Sequence, residues 1–147
     1  MTMTENTIQA IELACTKLIN QFAVFNDAGR HNDLADLFTE EGQYARPTDP
    51  DNYVQGKAAI LAAFTGRPAD KLTRHLITNI VVDVIGPTSA SGLCYVTLYA
   101  GSTGKPAEKH AYQANPSQLI GEYHDMFVLT PAGWKFSKRQ GRLIFST

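Results

Sequence analysis

The stretch "TRHLITNIVVDVIG", Thr73 to Gly86, is where the chain changes its period. It is dense in β-branched residues and runs into a Gly-Pro turn at Gly86–Pro87, which is the composition of a strand. Before it, the apolar residues step by three and four. Ile8, Ile11, Cys15, Leu18, Ile19, Phe22 and Phe25 form one face of an amphipathic helix of about five turns. Thr4, followed by Glu5, is its N-terminal cap. "DAGR" breaks the pattern, and "NDLADLF" predicts a second short helix with Asn32 as N-cap and Leu34, Leu37 and Phe38 inward. Gly42 to Ala45 predicts a short strand, "ARPTDPDNYVQG" a turn-rich loop, and "KAAILAAF" a third helix stopped by Gly66 and Pro68.

After Thr73 the reading is strand throughout. "ASGLCYVTLYAG", "QLIGEYHDMFVLT" and "GWKFSKRQGRLIF" follow in turn, the last two joined at Pro131–Gly133. Helices first and an antiparallel meander afterwards predict an α+β fold, with helices covering one face of a curved sheet. A chain of 147 residues suits one domain over 1–147, with a core from about residue 8 to 144. "GSTGKPAEKHAYQANPSQ", Gly101 to Gln118, is too long for a hairpin turn and predicts a loop: a lid, an arm reaching a partner subunit, or a disordered surface segment.

The formal net charge is −1, with Lys and Arg scattered rather than blocked, so neither nucleic acid nor an anionic membrane surface is expected as a partner. No apolar run reaches the roughly 18 residues of a membrane span. The N-terminus "MTMTENTIQ" has no basic flank or apolar core, so it does not read as a signal peptide, and the expected compartment is the cytoplasm. Cys15 and Cys94 lie on apolar-patterned segments and read as buried free thiols. No His, Cys, Asp or Glu cluster has metal-ligand spacing, and no Gly-rich loop follows a strand, so no metal and no cofactor is expected.

Asp27 is the anomaly. It stands where the long helix ends, and a carboxylate at a helix C-terminus is disfavoured by the dipole. The segment around it, a helix ending in Asp and followed by a short "xxLxxLF" helix, is one of three details that carry a resemblance. The second is "TRHLITNIVVDV", a His at the start of the first long strand with an Asn four residues on. The third is "GEYHDMFVLTPAGWKFSKRQ", a hairpin with Tyr, Asp and a Gly-Trp-Lys-Phe turn exit. Together, over about Ile8 to Ile144, they resemble the nuclear transport factor 2-like superfamily. The nearest likeness is to its SnoaL-like branch, which includes scytalone dehydratase and hexachlorocyclohexane dehydrochlorinase.

The resemblance implies a cone, the cystatin-like α+β barrel: a curved antiparallel sheet wrapped around the long helix and two shorter ones, with a pocket at the open end. It implies that Asp27 and His75 form a proton-transfer dyad. Continued as an ideal helix, Asp27 points off the apolar stripe, so a reorientation at Ala28–Gly29 is expected. Histidine is the natural general base near neutrality, and a carboxylate orients it and stabilises the cation it becomes. Tyr44 and Tyr123 are expected to polarise an oxygen or protonate a leaving group. By the period of two, Gly121, Asp125 and Phe127 share the face of Tyr123 while His124 and Met126 point away, and Asn79 shares the face of His75. Asn79, Asp125 and Phe22 are expected to line the pocket, although Asp125 could instead pair with Arg139 or Arg142. His31 is expected to pack in place of an aromatic, Trp134 to sit at the hairpin exit in the core, and His110 and His124 have no evident partner.

The sequence departs from scytalone dehydratase. The second pocket histidine falls near Ala100, with Tyr99 beside it. The pocket asparagine is replaced by Tyr123, and the tyrosine before the catalytic Asp is Asn26. A scytalone substrate is therefore not expected. What is expected is a cofactor-independent lyase, dehydratase or isomerase acting on a small, largely apolar, cyclic substrate. The alternatives are a non-catalytic small-molecule-binding or assembly module, or a small subunit of a ring-hydroxylating dioxygenase. Leu93, Tyr95 and Tyr99 on one face, with Cys94, Val96 and Leu98 on the other, predict a homodimer or homotrimer formed through the sheet.

Overall fold

The computed structural model describes residues 2–106 and 110–147. The long helix, α1, spans Glu5–Ala28 and starts where the sequence predicts: the Thr4 side chain accepts from the Thr7 amide at 3.1 Å. It runs past the expected break. Gly29, in the left-handed region at φ 69°, ends it, and the Arg30 amide reaches back to the Phe25 carbonyl. Ile11, Cys15, Leu18, Ile19, Phe22 and Asn26 make its buried face.

The second helix, α2, is shorter than predicted, His31–Ala35, and Arg30 rather than Asn32 is its N-cap. Leu37 and Phe38 point inward but stand outside it, because the chain has already turned into strand β1, Phe38–Ala45. The turn-rich loop contains a two-residue strand, β2 (Val54–Gln55), and α3 follows at Lys57–Thr65.

The long strands are β3 (Lys71–Gly86), β4 (Ser89–Pro106), β6 (Leu119–Thr130) and β7 (Gly133–Ser146). The segment expected to be a loop is largely strand. Residues 101–106 extend β4, and β5 (Tyr112–Ala114) pairs back onto it. The middle of that proposed lid or arm, 107–109, lies outside the described residues.

Among the described residues the sheet has seven strands in the order β2-β1-β7-β6-β4-β3, with β5 on β4. Its pairings are antiparallel except one: β1 runs parallel to β7. The meander supplies only the antiparallel part, whereas β1 meets β7 after a long excursion through α3 and β3–β6, which sets no antiparallel direction. The sheet is mixed and open, and it packs on α1 from edge strand β3 to β7. Phe22 is the hub of the core, its ring 5.5–6.2 Å from those of Phe38, Tyr44, Phe64, Tyr123 and Phe136. Burying one such side chain contributes about 1.5–3 kcal/mol, and each well-set aromatic pair about 0.5–1.5 kcal/mol more.

Candidate active site

Asp27 sits in the last turn of α1 and needs no reorientation, because β3 crosses on that side of the helix. Its carboxylate accepts three hydrogen bonds. The His75 amide donates to Oδ2 at 2.9 Å, the Thr73 hydroxyl to Oδ1 at 2.9 Å, and the His75 ring nitrogen Nδ1 lies 2.6 Å from Oδ1. Hydrogen bonds to a charged group contribute about 1.5–3 kcal/mol each, against a dipole cost of about 0.3–1 kcal/mol, so the unfavourable helix position is outweighed. The dipole is also answered from outside the helix. Arg67, from the α3–β3 connection, donates to the Asn26 carbonyl at 3.3 Å and to Asn26 Oδ1 at 2.6 Å. Its other arm donates to the Thr73 hydroxyl at 2.7 Å, so Arg67, Thr73, Asp27 and His75 form one connected chain.

Burial alone would push the Asp27 carboxyl up. The bonds from the His75 ring and amide, the charge of His75 and the Thr73 hydroxyl outweigh it and hold the carboxyl below its ordinary value. A carboxyl depressed in the folded state stabilises the fold above its unfolded pKa, about 3.9, and that contribution is lost as pH falls through the folded value. Denaturant titrations from pH 7 to pH 2 are therefore expected to lose stability more steeply below about pH 4 for wild type than for Asp27→Asn. Parallel curves would mean that the three bonds add nothing to the ionised form.

The ionised carboxylate can only accept, so in the neutral ring Nδ1 of His75 carries the proton and Nε2 keeps the free lone pair. His75 opens onto a cavity of about 440 Å³, a size that takes a small ring compound. Tyr44 and Tyr123 line it, and so do Val96, Leu98, Leu119 and Leu143. Gly121 is also in the wall, where a Cβ would run into the backbone oxygen of Arg142. The two tyrosine side chains interact with each other through their hydroxyls, and both residues are almost fully buried (Tyr44 3% exposed, Tyr123 2%). Burial raises both phenols, Tyr123 well above its ordinary value, with the charge of Arg139 working in the opposite direction. They are thus donors at neutral pH.

Three predicted pocket residues lie elsewhere. Asn79 is exposed and outside the cavity lining. The β3–β4 register slips between Thr78 and Val81, Asn79 takes φ 54°, and the bulge ends the alternation that would have put it on the face of His75. Phe22 is buried beneath Tyr44 and Tyr123 as core rather than wall. Asp125 is buried and pairs with Arg139, not Arg142: Nε donates to Oδ1 at 2.8 Å and Nη2 to Oδ2 at 3.2 Å. The Arg139 guanidinium lies 3.9 Å from the Tyr123 ring centre, 4.5 Å from that of Phe22 and 4.8 Å from that of Phe136. Burial would lower its pKa, but the Asp125 carboxylate outweighs that and keeps it charged.

Other expectations can be read off directly. His124 has a partner, Glu122, at 2.8 Å. Trp134 packs against the core. Cys15 and Cys94 are free and buried, and burial first, with Asp125 adding to it, pushes Cys15 up to about 12; Cys94 stands at about 11, also chiefly through burial. Neither thiol is a thiolate nucleophile in that state.

Sequence reasoning missed the cations. Arg46, Arg67 and Lys71 all line the cavity, and no Asp or Glu is among its lining residues. They come from the loop after β1, the α3–β3 connection and the first residue of β3, with no spacing that would have announced them.

A family model described as a SnoaL-like domain matches residues 10–140. No curated protein matches the chain. Among solved structures, a protein from Novosphingobium aromaticivorans with the provisional name scytalone dehydratase is 23% identical, covers 98% of this chain and 91% of its own, and superposes with a TM-score of 0.81. Hexachlorocyclohexane dehydrochlorinase LinA-type3 from Novosphingobium barchaimii is 16% identical, covers 98% and 93%, and gives a TM-score of 0.79. At these identities the likeness establishes the fold, cystatin-like and α+β. Among the described residues no helix is long and apolar enough to cross a membrane.

Proposed function

Starting from a chain that belongs to the SnoaL-like domain family, we propose that it is a lyase or isomerase that needs no cofactor and uses His75 as its general base, with Asp27 orienting it. The observation that carries this reading is the 2.6 Å contact between Asp27 Oδ1 and His75 Nδ1 beside the cavity. With Nδ1–H held by the carboxylate, Nε2 takes a proton from a carbon next to a carbonyl or a leaving group. Asp27 then faces an imidazolium, and in a partly buried site that pairing is stronger than in water. Tyr44 and Tyr123 donate to the oxygen on which charge develops, or protonate the group that departs. Loss of water or halide completes an elimination, and return of the proton to a neighbouring carbon completes an isomerisation. The substrate class is a small cyclic compound with an apolar body.

The test is proton exchange. A panel of small cyclic ketones and β-hydroxy ketones is incubated with enzyme in D2O and followed by NMR. Exchange or dehydration that depends on wild-type protein and is lost in His75→Gln supports the reading. A panel that binds without any enzyme-dependent exchange favours a binding module instead.

The same reading includes self-association through the outer sheet face, cytoplasmic residence and a single functional unit. Leu76, Tyr95 and Tyr99 are 42–50% exposed and stand on adjoining β3 and β4 positions. Contiguous apolar surface of this kind is what a subunit interface covers. Sedimentation is expected to give a dimer or trimer, with Tyr95→Lys shifting it toward monomer. A wild-type monomer at about 100 μM, far above ordinary dimer dissociation constants, would end that part of the proposal.

A further inference from the structure

The lining of the cavity is unbalanced in charge. Arg46, Arg67 and Lys71 stand around one hollow whose other walls include Val96, Leu98 and Leu119. Asp27, whose charge acts on Arg67, is outside the lining and is already bonded to Thr73 and twice to His75. Asp70, next to Lys71, accepts from the Ser102 hydroxyl at 3.0 Å and is outside the lining as well. The other buried carboxylate of the region, Asp125, is neutralised by Arg139. The lining therefore holds three cations and no carboxylate. Arg67 is half-buried while Arg46 and Lys71 are exposed to solvent, so the repulsion among these like charges is partly screened, and an entering anion relieves what remains.

The cations also keep donors in reserve. Both terminal nitrogens of Arg67 are engaged with Asn26 and Thr73, which fixes its plane. Arg46 uses only Nη2, on the Ala63 carbonyl at 2.9 Å. Burial, and after it the charges of Arg67 and Arg46, lower the pKa of Lys71.

We propose that the substrate carries a carboxylate on its small apolar ring, and that Arg46, Arg67 and Lys71 hold that carboxylate at the mouth while the ring lies against the apolar wall beside His75. This deepens, and rests on, the reading of the cavity as a substrate site. The chemistry is coherent with it. A carbon acid that already bears a carboxylate gains a second negative charge when His75 removes its proton, and the three cations stabilise that charge as it forms. A neutral ring ketone would leave the same cations without an anionic partner.

Binding of benzoate and of its neutral isostere benzamide, measured by NMR titration at low salt on the intact protein, tests this directly. Benzoate is expected to bind at least about tenfold more tightly, as charge-assisted hydrogen bonds require. Lys71→Gln and Arg46→Gln are each expected to reduce that ratio at least about threefold, and rising salt to reduce it further. Equal or tighter binding of benzamide, no benzoate binding up to about 10 mM, or a ratio indifferent to both substitutions would overturn the proposal. The benzoate ratio is expected to survive His75→Gln. Because this is an equilibrium measurement, its failure is separate from a failure of the catalytic reading, which only proton exchange can reveal.

Discussion

His75→Gln is expected to lower enzyme-dependent proton exchange by about 10²–10⁴-fold, the range that a positioned general base contributes. Glutamine fills much the same volume and can still donate toward Asp27 Oδ1, so the fold and the cavity should persist. What it cannot do is accept and hold a proton at neutral pH. The corresponding loss of transition-state stabilisation is about 2.7–5.5 kcal/mol. The carboxylate makes the comparison sharper. Asp27 Oδ1 sits 2.6 Å from Nδ1 and dictates which nitrogen is free, so Asp27→Asn should lower the rate as well while leaving a usable base. Folding is monitored alongside by circular dichroism. A folded His75→Gln protein exchanging protons at the wild-type rate would place the base elsewhere.

Asp125→Ala should give the largest loss of stability, about 3–5 kcal/mol, because it strands a buried guanidinium. Arg139 is 0% exposed, its two bonds to Asp125 are 2.8 and 3.2 Å, and it is packed against three aromatic rings. Its Nη1 already has no hydrogen-bond partner and has ring faces as its electron-rich neighbours. Without the carboxylate, the ring faces and the Cys94 sulfur remain beside the charge, but no anion pairs with it among the described residues. For a chain of this length each kcal/mol moves Tm by roughly 2–4 °C, so a drop on the order of 10 °C is expected. The double variant Asp125→Leu with Arg139→Met is the control. Replacing both members of a buried pair by apolar residues is often neutral or stabilising, so it should recover most of the loss. Urea midpoints for Asp125→Ala within about 1 kcal/mol of wild type would show that the pair is not coupled as its geometry requires.

Two slips of register show why part of this site was illegible from the chain alone. Counting back from the Pro131–Gly133 turn, Thr130 opposes Gly133 and Phe127 opposes Phe136. The same count would put Lys138 opposite Asp125. The shift between Met126 and Phe127 adds one residue, so Arg139 faces Asp125 and enters the core. Sequence reading offered Arg139 or Arg142 without a means to choose. The bulge between Thr78 and Val81 acts the same way on Asn79, carrying it off the face of His75. A bulge is a property of two paired strands, so a period of two read along one of them cannot reveal it.

The apolar stripe of α1, its Thr4 cap, the change of period at Thr73 and the alternation around Tyr123 were all determined by the sequence itself, because each is a pattern written within a few turns or residues of one element. The meeting of Asp27 with His75 could be expected only through resemblance. The partner of Asp125, the displacement of Asn79 and the gathering of Arg46, Arg67 and Lys71 around one hollow were decided by the tertiary structure. The physical reason is range: periodicity is enforced by neighbours along the chain, whereas register and charge clustering arise from groups that folding alone brings within a few ångströms.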